Sequence, residues 1–372
     1  MSDHDLSRYR LWPPPQRTVI GLAIIGIAAA SIVAGFAYVG GFLTPQRLTQ
    51  ARIIDRFEQI NGAHPGFRRN HAKGVCIAGS FDSNGLGAAL SKAVVFERGV
   101  TPVTGRFAVA VGKPFVPDNE TEVRSMALSF QLRDGEEWRT GLNDIPVFPV
   151  RDAQGFYEQM LAMRPDPATG KPDASRVKAF LAAHPETATA LQAIKARPFS
   201  TGFANASYNS LDAFRFINGA GVSTPVRWSM EAVDPFVAEA KAYSTGGGPK
   251  DVNYLFDDLI ARLAEGPVQW RLVATIGTPD DVTSDATVAW PQTRQRVTLG
   301  TLTIDRIATE APGNCSDVNY DPLVLPEGIA PSDDPLLSAR SATYSNSYTR
   351  RAAEAKPPSE VQVPATAKAA AP

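Results

Sequence analysis

The sequence predicts an α+β fold with a mainly antiparallel sheet, preceded by one transmembrane helix. Three observations carry that prediction. No charged residue occurs between Thr18 and Gln46. Beyond that run, short β-like segments alternate with turn signals and a few short helical stretches. Thirty prolines and 29 glycines point to a loop-rich body, not a helical bundle. An apolar fraction of 44% with 20% charged residues suits a globular chain with a sizeable core. Lys plus Arg total 37 against 38 Asp plus Glu, a balance that speaks against a nucleic-acid partner. Two cysteines and four histidines exclude a disulfide scaffold and make a histidine-rich metal cluster a poor expectation.

Residues 1–17 are polar, carry Arg8, Arg10 and Arg17, and read as a cytoplasmic tail. Residues 18–44 read as a membrane anchor. Val19 to Leu43 spans roughly 37 Å as a helix, enough for a ~30 Å hydrocarbon core. A cleaved signal peptide has a shorter apolar region of roughly 7–15 residues. The basic tail predicts a single-pass inner-membrane protein with its body on the periplasmic side, although Arg47 and Arg52 follow the run closely.

The stretch 50–60 has one apolar stripe (Ile53, Ile54, Phe57, Ile60) and predicts a helix. The runs VCIAGSF, GRFAVAV, MALSFQLR and PVFPV predict strands within 61–151, with Asp134-Gly135 as a hairpin turn. Helices are expected at 153–163, 175–183 and 186–196, with Pro185 suited to a first turn. Later strands are expected at 213–217, 226–232, 270–278 and 297–307, separated by helical stretches near 236–243 and 251–264. From 352 to 372 the chain is rich in Ala, Pro, Lys and Glu and predicts a disordered tail.

Three stretches carry chemistry. Arg68-Arg-Asn-His71-Ala-Lys-Gly74 places one histidine in a polar segment before a β-like run. Asn143-Asp-Ile-Pro-Val-Phe-Pro-Val-Arg151 places an amide before a proline-containing segment. In Arg340-Ser-Ala-Thr-Tyr344 a helix would set guanidinium and phenol on one face. Singly, each has an ordinary reading as a core residue, a turn or a cation–π pair. Together, in this order, they resemble the haem catalases. NHAKG is similar to the distal-histidine motif, NDIPVFPVRD to the distal-asparagine segment, and RSATY to the proximal-tyrosine motif. Gly105-Arg106-Phe107, Val123–Phe130, Tyr208–Asn218, Asp285–Pro291, Leu299-Gly300 and Asp321–Ile329 extend the resemblance over roughly 50–351. The chain ends soon after the tyrosine motif, so it looks like the small catalase-related peroxidases.

The resemblance implies a catalase-like antiparallel β-barrel with surrounding helices over 45–351, holding b-type haem. His71 would be the distal acid–base and Asn143 a donor to bound peroxide. Tyr344 would be the proximal iron ligand, kept as phenolate by Arg340. Phe156 would pack on the haem face, and Arg68, Arg106 and Arg351 would reach the propionates. The expected activity is reduction of hydrogen peroxide or organic hydroperoxides with an unidentified electron donor. A dismutating catalase and a non-catalytic haem-binding or peroxide-sensing protein stay open beside it.

Several positions depart from the family pattern. Arg69 and Asn70 stand where apolar residues are usual, Leu142 replaces a glycine, and Pro149 replaces an aromatic. Ala108 stands where a serine often hydrogen-bonds the distal histidine, and that lost hydroxyl predicts a loosely oriented His71. In an exported body the even pair Cys76 and Cys315 favours a disulfide over two buried thiols.

Overall fold

The computed structural model describes residues 16–40, 42–43, 48–239 and 252–364. The chain divides into two units, one ending at Thr49 and one beginning at Gln50. The first contains helix α1, Gln16–Val39, which has no buried residue. Ile20, Leu22, Ile24, Ile25 and Phe36 are all exposed along it. Gln16 and Arg17, which the sequence assigns to the preceding tail, form its first turn. The rest of that tail lies outside the described residues.

The second unit is built on strands β1 (Gly74–Ser83), β2 (Gly99–Val109), β3 (Arg124–Gln131), β4 (Glu137–Asn143) and β5 (Tyr208–Asn209). They are followed by β6 (Phe214–Ile217), β7 (Ser223–Ala232), β8 (Val268–Ile276), β9 (Arg296–Ala308) and β10 (Ile329–Pro331). All pairings among them are antiparallel. The order β7-β5-β4-β3-β2-β1-β9-β8 closes on itself through the β7–β8 pairing. The result is the antiparallel barrel that the sequence predicts, with no free edge along the closed circuit.

Alternation along each strand sends one set of side chains inward. Phe107, Phe130, Trp138, Trp228, Trp270 and Tyr208 fill the interior and are essentially unexposed. The ring centroids of Phe130 and Trp138 lie 4.7 Å apart, and those of Trp138 and Trp228 5.2 Å apart. Three of their polar tips find partners, while Trp138 Nε1 is buried without one. Trp228 Nε1 donates to Thr140 Oγ1, Trp270 Nε1 to the Ala206 carbonyl, and Tyr208 Oη to the Phe203 carbonyl. The barrel core is therefore packed solid, and any large site must lie on its outer face.

Helices α2 (Gln50–Asn61), α3 (Ala153–Ala162), α4 (Ala174–Ala183), α5 (Pro185–Ala196), α6 (Tyr254–Glu265) and α7 (Pro335–Ala352) surround the barrel. Their starts follow local chemistry. The Asp152 carboxylate accepts from the Gly155 amide at 2.8 Å, and Asp334 caps α7 with Pro335 in its first turn.

Three local expectations are corrected. PVFPV (146–150) is not a strand, because Pro146 and Pro149 have no N–H to give a ladder. It is a loop whose Val147 and Val150 are buried. The expected helix near 236–243 is absent over its described part, where Ala238 bridges Ser200 in extended form; residues 240–243 lie outside the described residues. The tail expected to be disordered from 352 is packed as far as 364. Val361 is 1% exposed, and the Glu354 carboxylate accepts from the Gly66 amide at 2.7 Å. Residues 365–372 lie outside the described residues.

Candidate active site

Outward-facing positions of three neighbouring strands carry small side chains: Ala108 and Ala110, Ser125 and Ala127, then Gly141 and Asn143. Small residues on a sheet face leave room above it. Helix α7 forms the opposite wall with Ala339, Arg340, Thr343, Tyr344, Ser347 and Arg351, spaced by three and four as one helical face. Ile53, Ile54 and Phe57 of α2 complete a cavity of about 320 Å³.

His71, Asn143, Tyr344, Arg340, Arg68, Arg106, Arg351 and Phe156 all line this one cavity. Residues far apart in sequence are thus brought together by the barrel and α7. His71 lies between α2 and β1 with φ of 56°, a left-handed conformation that costs a non-glycine residue about 1–3 kcal/mol. Its amide donates to Asn70 Oδ1 at 3.0 Å. Burial first, then the charges of Arg106, Arg340 and Arg68, push the imidazole down to about 3. The ring is therefore neutral at physiological pH. Asn143 ends β4 and pairs in register with Ser125. Phe156 packs on Phe57 and Phe148, each at 5.8 Å between centroids.

On the opposite side of the cavity, Arg340 Nη1 donates to Asp212 Oδ2. Burial opposes the Arg340 charge, but Asp212 and the Tyr344 phenol outweigh it and raise its pKa. A Cβ at Gly141 would stand 3.4 Å from Tyr344 Oη and 3.7 Å from Arg340 Nη2. The missing side chain there keeps the phenol's surroundings open.

A third group gathers cations at one end. Arg106 Nε donates to Glu310 Oε1 at 2.7 Å, both side chains under 5% exposed. Burial raises the Glu310 carboxyl, but Arg106, Lys356 and Arg68 together hold it down to about 2. Arg68 donates to the carbonyls of Cys315 and Val318 at 3.0 and 3.1 Å. Arg351 donates to the carbonyls of Ser316 and Val318. Burial, then the neighbouring Arg106 and Arg351, lower Arg68 to about 9. Cys76 of β1 and Cys315 form a disulfide, so the loop supplying these carbonyls is tied to the barrel.

Two polar atoms facing this end have no partner: Arg106 Nη2 and Tyr320 Oη, both buried. Orphaned donors beside three arginines fit an anionic group such as a pair of carboxylates. The donor set fits haem: a largely apolar cavity lined by a phenol and an imidazole, and cations with unmet donors.

The sequence does not single out four of the residues found here. Tyr320 and Glu310 sit in segments with no motif of their own, and Asp212 lies within the 208–218 stretch without being singled out there. Ser125 is the fourth. Its Oγ lies 3.0 Å from His71 Nδ1 and 2.5 Å from Asn143 Oδ1. The expected loosening of His71 by the alanine at 108 is thereby corrected. Ala108 and Ser125 are direct cross-strand partners, a register that only the folded sheet reveals. Arg69 is also explained: it pairs with Glu58 at 2.6 Å and with Glu354 at 2.5 Å.

A family model described as "Catalase" matches residues 41–368. A catalase-related peroxidase of Synechococcus elongatus is 38% identical over 329 residues, covering 88% of this chain and 96% of the relative. A catalase-related peroxidase of Mycolicibacterium paratuberculosis is 34% identical, covering 82% of this chain and 95% of the relative. A solved bacterial catalase superposes with a TM-score of 0.68 at 22% identity; the match covers 82% of this chain and 61% of that one.

Proposed function

This chain belongs to the catalase family, and from that premise we propose that it is a haem-dependent peroxidase reducing hydrogen peroxide or organic hydroperoxides. The observation that supports the reading is that His71, Asn143, Arg340 and Tyr344 all line one cavity. Near-complete coverage of two catalase-related peroxidases favours peroxidase over dismutase chemistry. Tyr344 would ligate the iron, with Arg340 and its Asp212 partner fixing the phenol's environment. Arg68, Arg106, Arg351 and Tyr320 would hold the propionates, and Phe156 would cover the porphyrin. Haem, when bound, supplies a redox-active iron that takes oxidising equivalents from peroxide and passes them to a donor.

The chain's own residues manage the proton. A neutral His71 would accept one from one peroxide oxygen and return it to the other, which would leave as water or an alcohol with the two electrons that bound haem would supply for O–O cleavage. Asn143 donates to the peroxide and holds it within reach. The apolar walls exclude water from that exchange. We further propose that α1 anchors the protein in the inner membrane with the body on the periplasmic side. Its uninterrupted apolar surface supports the anchor, and the Cys76–Cys315 disulfide suits an oxidising compartment.

The test is purified full-length protein loaded with haem and given peroxide, with oxygen release and peroxide loss followed together. Donor-dependent peroxide loss with little oxygen supports the reading. About half an oxygen per peroxide, indifferent to donor, would make it a dismutase. His71→Ala should retain haem while slowing the initial peroxide reaction by at least 100-fold; near wild-type rates would remove His71 from its role.

A further inference from the structure

We propose that Ser125 is a positioning residue whose single hydroxyl proton fixes both the tautomer of His71 and the face that Asn143 turns to the cavity. The inference rests on the reading of His71 and Asn143 as the peroxide-handling pair, and its test separates the two.

A serine hydroxyl has one proton to give and two lone pairs to receive with. Ser125 Oγ donates to Asn143 Oδ1 at 2.5 Å. That proton is then spent, so towards His71 Nδ1, 3.0 Å away, the hydroxyl can only accept. Nδ1 must therefore carry the hydrogen of the neutral ring, and Nε2 keeps its lone pair. Asn143, with its oxygen tied, has its amide N–H groups left to give. One hydroxyl thus prepares a bare base and a bare donor side by side, the two polarities that peroxide needs. In the opposite arrangement His71 would present an N–H and Asn143 an oxygen, and neither could do its part.

The strand register explains why the hydroxyl stands at 125. Ala108, Ser125 and Asn143 are successive partners across β2, β3 and β4. Directly opposed residues on one sheet face lie about 5 Å apart. Position 125 is the middle of the row and touches Asn143, whereas position 108 is one strand further away. In the pattern that this chain resembles, a serine falls at 108; here 108 is alanine and the hydroxyl stands at 125, where one group serves two partners. The charged groups facing His71 are Arg68, Arg106 and Arg340, and none of them can accept a hydrogen bond. Ser125 is thus the acceptor found for Nδ1.

The experiment uses haem-loaded full-length protein and compares Ser125→Ala, the double variant Ala108→Ser/Ser125→Gly, and His71→Ala. Haem content and the Soret spectrum are recorded, with rates of cyanide association and initial peroxide reaction from pH 5 to 8. Cyanide enters as HCN and needs a base but no second donor. Ser125→Ala should keep haem and slow both reactions by about 10–100-fold. The double variant should recover cyanide association, since a hydroxyl again faces His71, but not the full peroxide rate, since Asn143 stays untied. Ser125→Ala with wild-type rates, beside a crippled His71→Ala, overturns the role of Ser125 alone. Unchanged rates in His71→Ala overturn the underlying reading. Should the variants fail to load haem, 15N shifts of histidine-labelled wild-type protein decide directly: an Nδ1–H tautomer is expected, and Nε2–H would refute the proposal.

Discussion

Gly74 shows how much one missing side chain can decide. A Cβ built there would lie 2.2 Å from Arg106 Nη2 and 2.6 Å from the Phe107 carbonyl. The glycine that closes the NHAKG motif is what lets the Arg106 guanidinium pass over β1 and face the cavity. Backbone cannot yield at that register, because Gly74 pairs with Ala108 inside the barrel. Gly74→Ala should therefore displace Arg106 and cost about tenfold in haem retention, measured as the rate of haem transfer to an excess of a scavenging protein. An unchanged transfer rate would show that Arg106 does not hold the group. His71, three residues earlier, is the complementary case. Its positive φ is held by the Asn70 side chain, so Asn70 has a backbone task that its polarity alone does not announce.

At the scale of the element, α7 does two things at once. Its inward face carries Arg340, Tyr344 and Arg351 to the cavity, while its N-terminus is buried against the barrel. Asp334 caps that end by accepting from the Leu336 amide at 2.9 Å, yet its other oxygen has no partner. Burial, then the nearby negative charge of Asp212, push the Asp334 carboxyl up to about 7. The folded value lies above the ordinary value of about 3.9, so the native state binds more protons than the unfolded chain across roughly pH 4–7. The stability this gives is complete below that window and is lost as pH rises through 7. Asn caps helices as well as Asp does. Asp334→Asn should therefore flatten the fall in melting temperature between pH 5 and 8 and stabilise the protein by the order of 1 kcal/mol at pH 8. Parallel wild-type and variant curves would contradict this account.

For the whole molecule, closure of the barrel is reinforced from outside by two long-range ties near the cation cluster. One is the Cys76–Cys315 disulfide, which spans 239 residues. The other is the segment after α7. Lys356 Nζ donates to Ser316 Oγ at 3.0 Å, Ser359 Oγ to the Glu310 carbonyl at 3.0 Å, and the Val363 amide to Thr309 Oγ1 at 2.8 Å. Glu354 meanwhile neutralises Arg69. Burying Val361 alone is worth about 1.5–3 kcal/mol. A chain ending at Ala352 should lose roughly 2–4 kcal/mol of stability, read from urea unfolding of both proteins. An unchanged midpoint would mean that the segment adds nothing to the body.

The sequence by itself was sufficient for the parts governed by local periodicity and by motif. The uncharged run at 18–46, the apolar stripe of α2, the Asp134-Gly135 turn and the presence of strands near 213–217, 226–232, 270–278 and 297–307 follow from spacing and side-chain shape, whereas the short β10 does not. His71, Asn143, Arg340 and Tyr344 were legible because their motifs are contiguous. Tertiary structure decided what depends on partners distant in the chain. PVFPV is apolar enough for a strand, but its prolines leave no ladder to join. The segment after 352 has no periodic face, and it is ordered by individual contacts to Arg69, Ser316 and Glu310 instead of by a stripe. Ser125 is an unremarked serine in a strand until register sets it between His71 and Asn143. Spacing along one chain determines which face a side chain occupies; only the closed barrel determines which two side chains stand on either side of it.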